Sequence, residues 1–105
     1  MKERMYNGIE EFDKTIKETI GLRIQDSRLK NGMTGADLGA YLGVNANQIS
    51  RIERGEVNLD VGKLYVICKL FNVSADYILF GEENKSITDE QSDAISHMLK
   101  VFGGN

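Results

Sequence analysis

TGADLGAYLGVNANQISRIERG, residues 34–55, predicts two short helices joined by a tight turn. Thr34 can cap the first helix, because its hydroxyl can accept a hydrogen bond from a free backbone N–H group. Asp37 follows three residues later, in an acidic variant of the capping box. Gly43 is placed to end this helix, since glycine adopts the left-handed conformation without a steric penalty.

The second helix of the stretch begins at Asn45, and Gln48 three residues later completes another variant of the capping box. Gly55 is placed to end it. The apolar residues of both helices recur at the spacing of one helix face: Leu38 and Leu42, then Val44, then Ile49 and Ile52. Two short helices joined by a glycine turn are the signature of a helix-turn-helix motif.

The second helix carries a polar face that could read DNA. Helical periodicity directs Asn47, Ser50, Arg51 and Arg54 away from the apolar residues. Asparagine and glutamine can pair with adenine, and arginine can pair with guanine, in the DNA major groove. Most polar helix faces are simply solvated, so the face alone leaves both interpretations open. The turn and the flanking pattern favour DNA readout.

Matches to one family extend beyond this stretch, and the ISRIERG run of residues 49–55 is the most specific of them. Over about residues 16–81 the chain resembles the lambda-repressor/Cro-like helix-turn-helix family, often called XRE-type. The other matching positions are Ile20-Gly21-Leu22-Arg23-Ile24, Arg28, Gly32-Met33-Thr34, Leu38, Leu42-Gly43-Val44 and Leu79-Phe80-Gly81. The resemblance implies an all-α fold, a compact five-helix domain that binds double-stranded DNA as a sequence-specific transcriptional regulator. A repressor that binds a pseudo-palindromic operator as a homodimer is the leading hypothesis.

The resemblance also assigns residues to the DNA interface. Ala46, Asn47 and Arg51 occupy base-facing positions, and Ala46 could touch only a thymine methyl group. Residues nearer the DNA backbone are Asn45, Gln48, Ser50 and Arg54, together with Thr34 and Gly35, where backbone N–H groups at the helix start could hold a phosphate.

Arg28 and Glu53 match family positions that form an ion pair, which ties the first helix to the end of the third. Two departures from the family pattern stand out. Gly35 occupies a position where the family usually has a phosphate-contacting glutamine. Gly39 replaces the usual alanine where the second and third helices approach closely.

Three further helices are expected around the motif. The first family helix ends at Asn31-Gly32. Asp60 can cap a fourth helix that runs to about Phe71, and Ser74 can cap a fifth over residues 75–80. The apolar stripe of the fourth helix is Val61, Leu64, Ile67, Cys68 and Phe71, and the fifth is expected to place Tyr77, Ile78 and Phe80 in the core.

Segments at both ends lie outside the family domain, which divides the chain into residues 1–15, 16–81 and 82–105. Near the N-terminus, either one long helix runs from about Ile9 to Lys30, or a short arm precedes a helix from about Ile16. Asn7 and Thr15 are the candidate helix starts, and core packing of Ile9 and Phe12 is favoured over a partner-facing arm.

The C-terminal segment contains a polar linker and then a predicted amphipathic helix from about Asp89 to Phe102, capped by Thr88. Its apolar stripe either docks on its own chain or forms a dimer interface through Ile95, Met98, Leu99 and Phe102. A two-fold complex with DNA requires an interface between the protomers. This requirement favours a role of the C-terminal helix in dimerisation.

Composition indicates a soluble, single-domain protein of 105 residues, with 41% apolar and 28% charged residues. No signal peptide or membrane span is evident, and Cys68 is the single cysteine, so we expect a cytoplasmic protein. The net charge of −3 arises in residues 82–105, which hold two Lys/Arg and five Asp/Glu, while residues 20–81 hold seven and six.

Catalysis finds no support in the sequence. One histidine and one cysteine cannot make the common zinc sites, and no phosphate-binding glycine motif is present. We expect no enzyme activity, no metal and no cofactor. Two alternatives to a DNA-binding repressor remain: a protein-interaction module that keeps the fold but binds DNA weakly or not at all, and an antitoxin whose terminal helices hold a toxin as protein partner.

Overall fold

The computed structural model describes residues 8–82, and every regular element in that range is helical. The predicted all-α fold with five α-helices is therefore confirmed. The predicted C-terminal helix, with its dimer residues Ile95, Met98, Leu99 and Phe102, lies outside the described residues. A 3₁₀ turn at Gly8–Glu11 precedes α1 (Lys14–Lys30), α2 (Gly35–Leu42), α3 (Ala46–Glu53), α4 (Val61–Phe71) and α5 (Ala75–Phe80).

Each α-helix begins at a side chain that accepts a hydrogen bond from the backbone three residues later. The caps are Asp13, Thr34, Asn45, Asp60 and Ser74. Both predicted capping boxes are present, because the side chains of Asp37 and Gln48 also accept from the backbone N–H of their caps. These bonds satisfy N–H groups that a helix start otherwise leaves unpaired.

The start of α1 differs from the sequence prediction. Asp13 is the cap, with its Oδ1 accepting from Ile16 N at 3.0 Å, whereas Asn7 and Thr15 were the predicted starts. The interpretation as a short arm followed by a helix is the closer one, since the 3₁₀ turn ends before Asp13. Core packing of Ile9 and Phe12 was wrong, because their side chains are 76% and 38% exposed and neither packs against the buried core.

The core is assembled from all five α-helices. Among the described residues, the buried apolar side chains are Ile20, Ile24, Leu38, Ile49, Ile52, Ile67, Phe71 and Ile78. The predicted burial of Val61 and Phe80 was wrong, since both are exposed. Phe80 lies two residues after Ile78, which places it about 200° around a short helix whose inward side Ile78 occupies. Val61 is the first residue of α4 and lines a small apolar pocket, but it remains 81% exposed.

Two glycines allow helices to approach within backbone contact. A Cβ atom at Gly39 would overlap the carbonyl oxygen of Val44, which leads into α3, and one at Gly21 would overlap that of Glu53 at the end of α3. The structure therefore confirms the close approach of α2 and α3 at Gly39. Together the two glycines fix α3 against α1 and α2.

No helix in the described range is both long and apolar enough to span a membrane.

Candidate nucleic-acid interface

Helix α3 is held by one face and presents the other to solvent. Gly43 ends α2 in the left-handed conformation, with a φ of 73°, and this turn leads directly to the Asn45 cap of α3. Ile49 and Ile52 are buried on the inner face. The predicted interface residues Asn45, Ala46, Asn47, Gln48, Arg51 and Arg54 are exposed, and Ser50 is half-buried. The structure thus brings these seven positions together along a single helix.

The C-terminal end of α3 is fixed by a buried ion pair with α1. Arg28 donates from Nε to Glu53 Oε2 at 2.8 Å and from Nη2 to Glu53 Oε1 at 3.0 Å. The side chains of Arg28 and Glu53 are only 12% and 5% exposed. The hydrogen bond with Glu53 raises the pKa of Arg28, and Arg28 Nη1 also donates to the carbonyl of Met33, 2.8 Å away, in the loop before α2. One guanidinium therefore links three elements around the motif.

The capping pair at the start of α3 leaves polar groups free to face DNA. Asn45 Oδ1 accepts from Gln48 N at 2.9 Å, and Gln48 Oε1 accepts from Asn45 N at 3.4 Å. Both bonds use amide oxygens, so the NH₂ groups of the two side chains can still donate. Such donors suit phosphate oxygens, which take most of the hydrogen bonds in protein–DNA contacts.

The start of α2 offers backbone donors but also a carboxylate. Gly35 and Ala36 are its first two residues, so their N–H groups have no carbonyl partner within the helix. Asp37 accepts from Thr34 N at 3.0 Å, and this backbone bond lowers the pKa of the Asp37 carboxyl. The negative charge beside the free N–H groups opposes a phosphate at this helix start.

Packing does not require glycine at position 35. A Cβ atom there would lie 3.8 Å from Ile49 Cγ2, which is ordinary van der Waals contact. A Cβ atom is therefore tolerated at the start of α2, so the glycine does not serve to avoid a clash at this position.

Glu56 lies beside the candidate interface, and the sequence interpretation did not identify it. Its carboxylate accepts from Arg54 Nε at 2.7 Å and from Arg54 Nη2 at 3.2 Å, and it lies 3.7 Å from Arg51 Nε. These contacts, above all the bond from Arg54, lower the pKa of Glu56, while the pKa of Arg54 is raised. Arg54 Nη1 also donates to Ser50 Oγ at 2.6 Å. Both outward arginines of α3 thus face one carboxylate.

A shallow groove runs beside the outward face of α3. It has a volume of about 160 Å³, and its lining includes Gln48, Arg51, Asn58 and Lys63. Lys63 is paired with its own helix cap, because its Nζ lies 2.7 Å from Asp60 Oδ2. Val44, Ile52 and Val57 also line the groove, so its lining is mixed, and its two cations already lie beside local carboxylates.

The described part of the chain contains no cluster of three or more His, Cys, Asp or Glu residues suited to a metal ion. Cys68 is half-buried against the core, and burial raises the pKa of its thiol. A raised pKa disfavours the reactive thiolate.

Comparisons with known proteins find helix-turn-helix regulators and repressors. Residues 24–78 match a family described as helix-turn-helix. The chain is 30% identical, over 84 residues, to the HTH-type transcriptional regulator ImmR of Bacillus subtilis (strain 168). This alignment covers 78% of the chain and 66% of ImmR, so the chain spans just under two thirds of that relative.

A similar solved structure is the crystal structure of the P22 c2 repressor protein in complex with synthetic operator 9T in the presence of Tl⁺. The sequence identity is 35% and the TM-score is 0.56, with 60% of this chain and 96% of that chain covered.

Proposed function

The chain belongs to the lambda-repressor/Cro-like helix-turn-helix family, and on that premise we propose that it is a sequence-specific DNA-binding transcriptional regulator of the repressor type. The observation that carries the proposal is α3 itself. Its inner face is buried, its two ends are fixed by hydrogen bonds, and its outer face is a polar surface of the chemistry that base edges require. The likeness to a repressor solved with its operator supports it.

In this proposal α3 lies in the major groove of double-stranded DNA. Asn47 and Arg51 are one helical turn apart, so both can reach base edges from the same side, and Ala46 can touch a thymine methyl group. The other interface residues lie nearer the sugar–phosphate backbone: Asn45, Gln48, Ser50 and Arg54, with Thr34 and Gly35 at the start of α2. The helix-turn-helix family consists of DNA-binding regulators rather than enzymes, and we expect this member to act in the cytoplasm without a cofactor.

We further propose that the chain binds a pseudo-palindromic operator as a homodimer. Two protomers would place their α3 helices in successive major grooves about 34–36 Å apart. The interface proposed for the dimer is the predicted C-terminal helix with Ile95, Met98, Leu99 and Phe102, all outside the described residues.

An apolar surface where α1 begins and α5 ends supports this dimer. Phe12, Ile16, Leu79 and Phe80 contribute to a groove of about 420 Å³ there. Glu82, the last described residue, follows Phe80 by two positions, so the described part of the chain ends beside this surface. An apolar helix face must be buried somewhere, and the same surface on a second copy is available to it.

Arg51→Ala tests the assignment of the base-reading face. On a duplex selected from a random pool, the substitution should cost about 1–3 kcal/mol of binding free energy if Arg51 pairs with a guanine. The midpoint of thermal unfolding should change little, because Arg51 is an exposed residue on α3. Lys69→Ala on α4 removes the same charge from another surface and is the matched control. Equal binding by the wild type and the Arg51 variant would refute the assignment.

Deletion of residues 88–105 tests the dimer. We expect the truncated chain to remain folded and helical but to become mainly monomeric in sedimentation, with far weaker operator binding. A truncated form that stays dimeric at the same concentration rules out the role of the C-terminal segment.

A second candidate function is a protein-interaction module with little DNA binding, and an antitoxin would combine both roles. The observation that favours it is the placement of Asp37 and Glu56, two carboxylates on the surface where DNA phosphates would lie. Failure of any duplex to be enriched from a random pool would support this alternative. A toxin gene beside the coding sequence would favour the antitoxin.

A further inference from the structure

The backbone after α3 fixes the position of Glu56. Gly55 N donates to Ile52 O at 3.0 Å, and Glu56 N donates to Arg51 O at 2.9 Å, which is the hydrogen-bond pattern of a Schellman motif. Gly55 has a φ of 74°, and a Cβ atom at this position would overlap the backbone at Glu18 of α1. The turn is therefore both left-handed and packed against α1, and it directs Glu56 back over the last turn of α3.

The two arginines make unequal contacts with this carboxylate. Arg54 forms a two-bond pair with Glu56 and also donates to Ser50, so its guanidinium is held by three hydrogen bonds. Arg51 approaches the same carboxylate only to 3.7 Å, which is longer than a hydrogen bond. Arg51 is thus the arginine that can leave for a base, while Arg54 is the one that is restrained.

A restrained and neutralised arginine contributes little to binding that depends on phosphates. Binding of proteins to DNA of any sequence derives almost entirely from cations that replace the counterions of phosphates. A carboxylate fixed beside such a cation competes with phosphates for it and repels them.

We propose that Glu56 is a specificity-determining positioning residue, which restrains Arg54 and thereby weakens binding to non-operator DNA more than binding to the operator. This inference rests on the proposed DNA-binding function. In the operator complex Arg51 supplies base contacts while the pair of Arg54 with Glu56 is retained. On other sequences no base contact fixes the pose of α3, so Arg54 would be free to reach a phosphate if Glu56 did not hold it.

Glu56→Gln tests the proposal, with Asp26→Asn as the matched control. Asp26 also forms an exposed pair with a cation, Lys30, at 3.0 Å, and its replacement changes the net charge equally, but it lies on α1. Binding of the full-length variants to a random-sequence duplex and to the selected operator is measured between 50 and 200 mM salt. Circular dichroism verifies that both variants fold.

We expect Glu56→Gln to bind the random duplex more tightly than Asp26→Asn, and the ratio of operator to random affinity to fall. One added phosphate contact makes the slope of log affinity against log salt steeper by about 0.9, so the gain should shrink about 3.5-fold between 50 and 200 mM salt. Adding Arg54→Ala to Glu56→Gln should abolish the gain. Equal slopes and affinities for the two single variants, or a gain that survives loss of Arg54, would overturn the proposal.

Retention on a heparin column separates this inference from the proposed function. Failure of every variant to bind any duplex would refute the DNA-binding function. The restraint of Arg54 by Glu56 would then be tested by the retention of the variants on heparin, which is a polyanion. Elution of Glu56→Gln at higher salt than Asp26→Asn would then support the restraint by Glu56. Elution of both at the same salt concentration would refute it.

Discussion

Removal of one partner of the buried ion pair is the most demanding test of how α3 is held. Arg28→Met leaves the Glu53 carboxylate, 5% exposed, with only a weak hydrogen bond from Gln25 Nε2 at 3.4 Å. An uncompensated buried charge costs about 3–5 kcal/mol, and loss of the bond to the Met33 carbonyl adds about 0.5–1.5 kcal/mol. Since small domains have a free energy of unfolding of about 5–15 kcal/mol, Arg28→Met should remove a large part of it.

Glu53→Met should cost less, because Arg28 keeps the Met33 carbonyl as an acceptor. The double variant should be more stable than the sum of the two losses predicts, since no unpaired charge remains. Urea unfolding followed by circular dichroism measures all four proteins. The exposed pair of Asp26 and Lys30, replaced by alanine in the same cycle, is the control and should show a coupling of about 0.5 kcal/mol or less. Small, additive losses for Arg28 and Glu53 would refute the buried pair.

Three glycine positions give further expectations. Gly39→Ala should destabilise the protein by about 1–3 kcal/mol, because the added Cβ atom overlaps Val44 O. Gly62→Ala near the start of α4, where there is room for a Cβ atom, should be neutral or stabilising. Thermal unfolding compares the two variants. Gly35→Gln should raise DNA affinity at low salt, because a Cβ atom is tolerated at this site and the added amide can donate to a phosphate. Unchanged affinity in a gel shift would contradict this.

Local signals explain why so much of the motif could be predicted from sequence. A cap and its partner lie three residues apart, so Thr34 with Asp37 and Asn45 with Gln48 were recognisable without knowledge of distant residues. The turn at Gly43 follows equally from a single residue. The expectation that Arg28 meets Glu53 came from the family resemblance, because nothing local connects residues 25 positions apart.

The wrong predictions concern side chains whose burial depends on where a helix begins and which of its sides faces the core. Helical spacing at Ile9 and Phe80 was compatible with burial, but Ile9 lies on the 3₁₀ turn before α1 begins, and Phe80 lies on the side of α5 opposite the buried Ile78. Glu56 was missed because it follows the helix and comes back over α3 only through the left-handed turn at Gly55. A glutamate directly after a C-terminal glycine, with arginines two and five residues before it, is the signal that could have identified the contact.

Selection of bound duplexes from a random pool, followed by sequencing, tests the central claim that α3 reads DNA. The claim predicts enrichment of a pseudo-palindrome whose half-site centres lie about 10–10.5 base pairs apart, or a multiple of that spacing. The same selection with Arg51→Ala should lose preference at one position of each half-site. A pool that remains random with the wild-type protein, or an enriched motif that Arg51→Ala leaves unchanged, would contradict the claim.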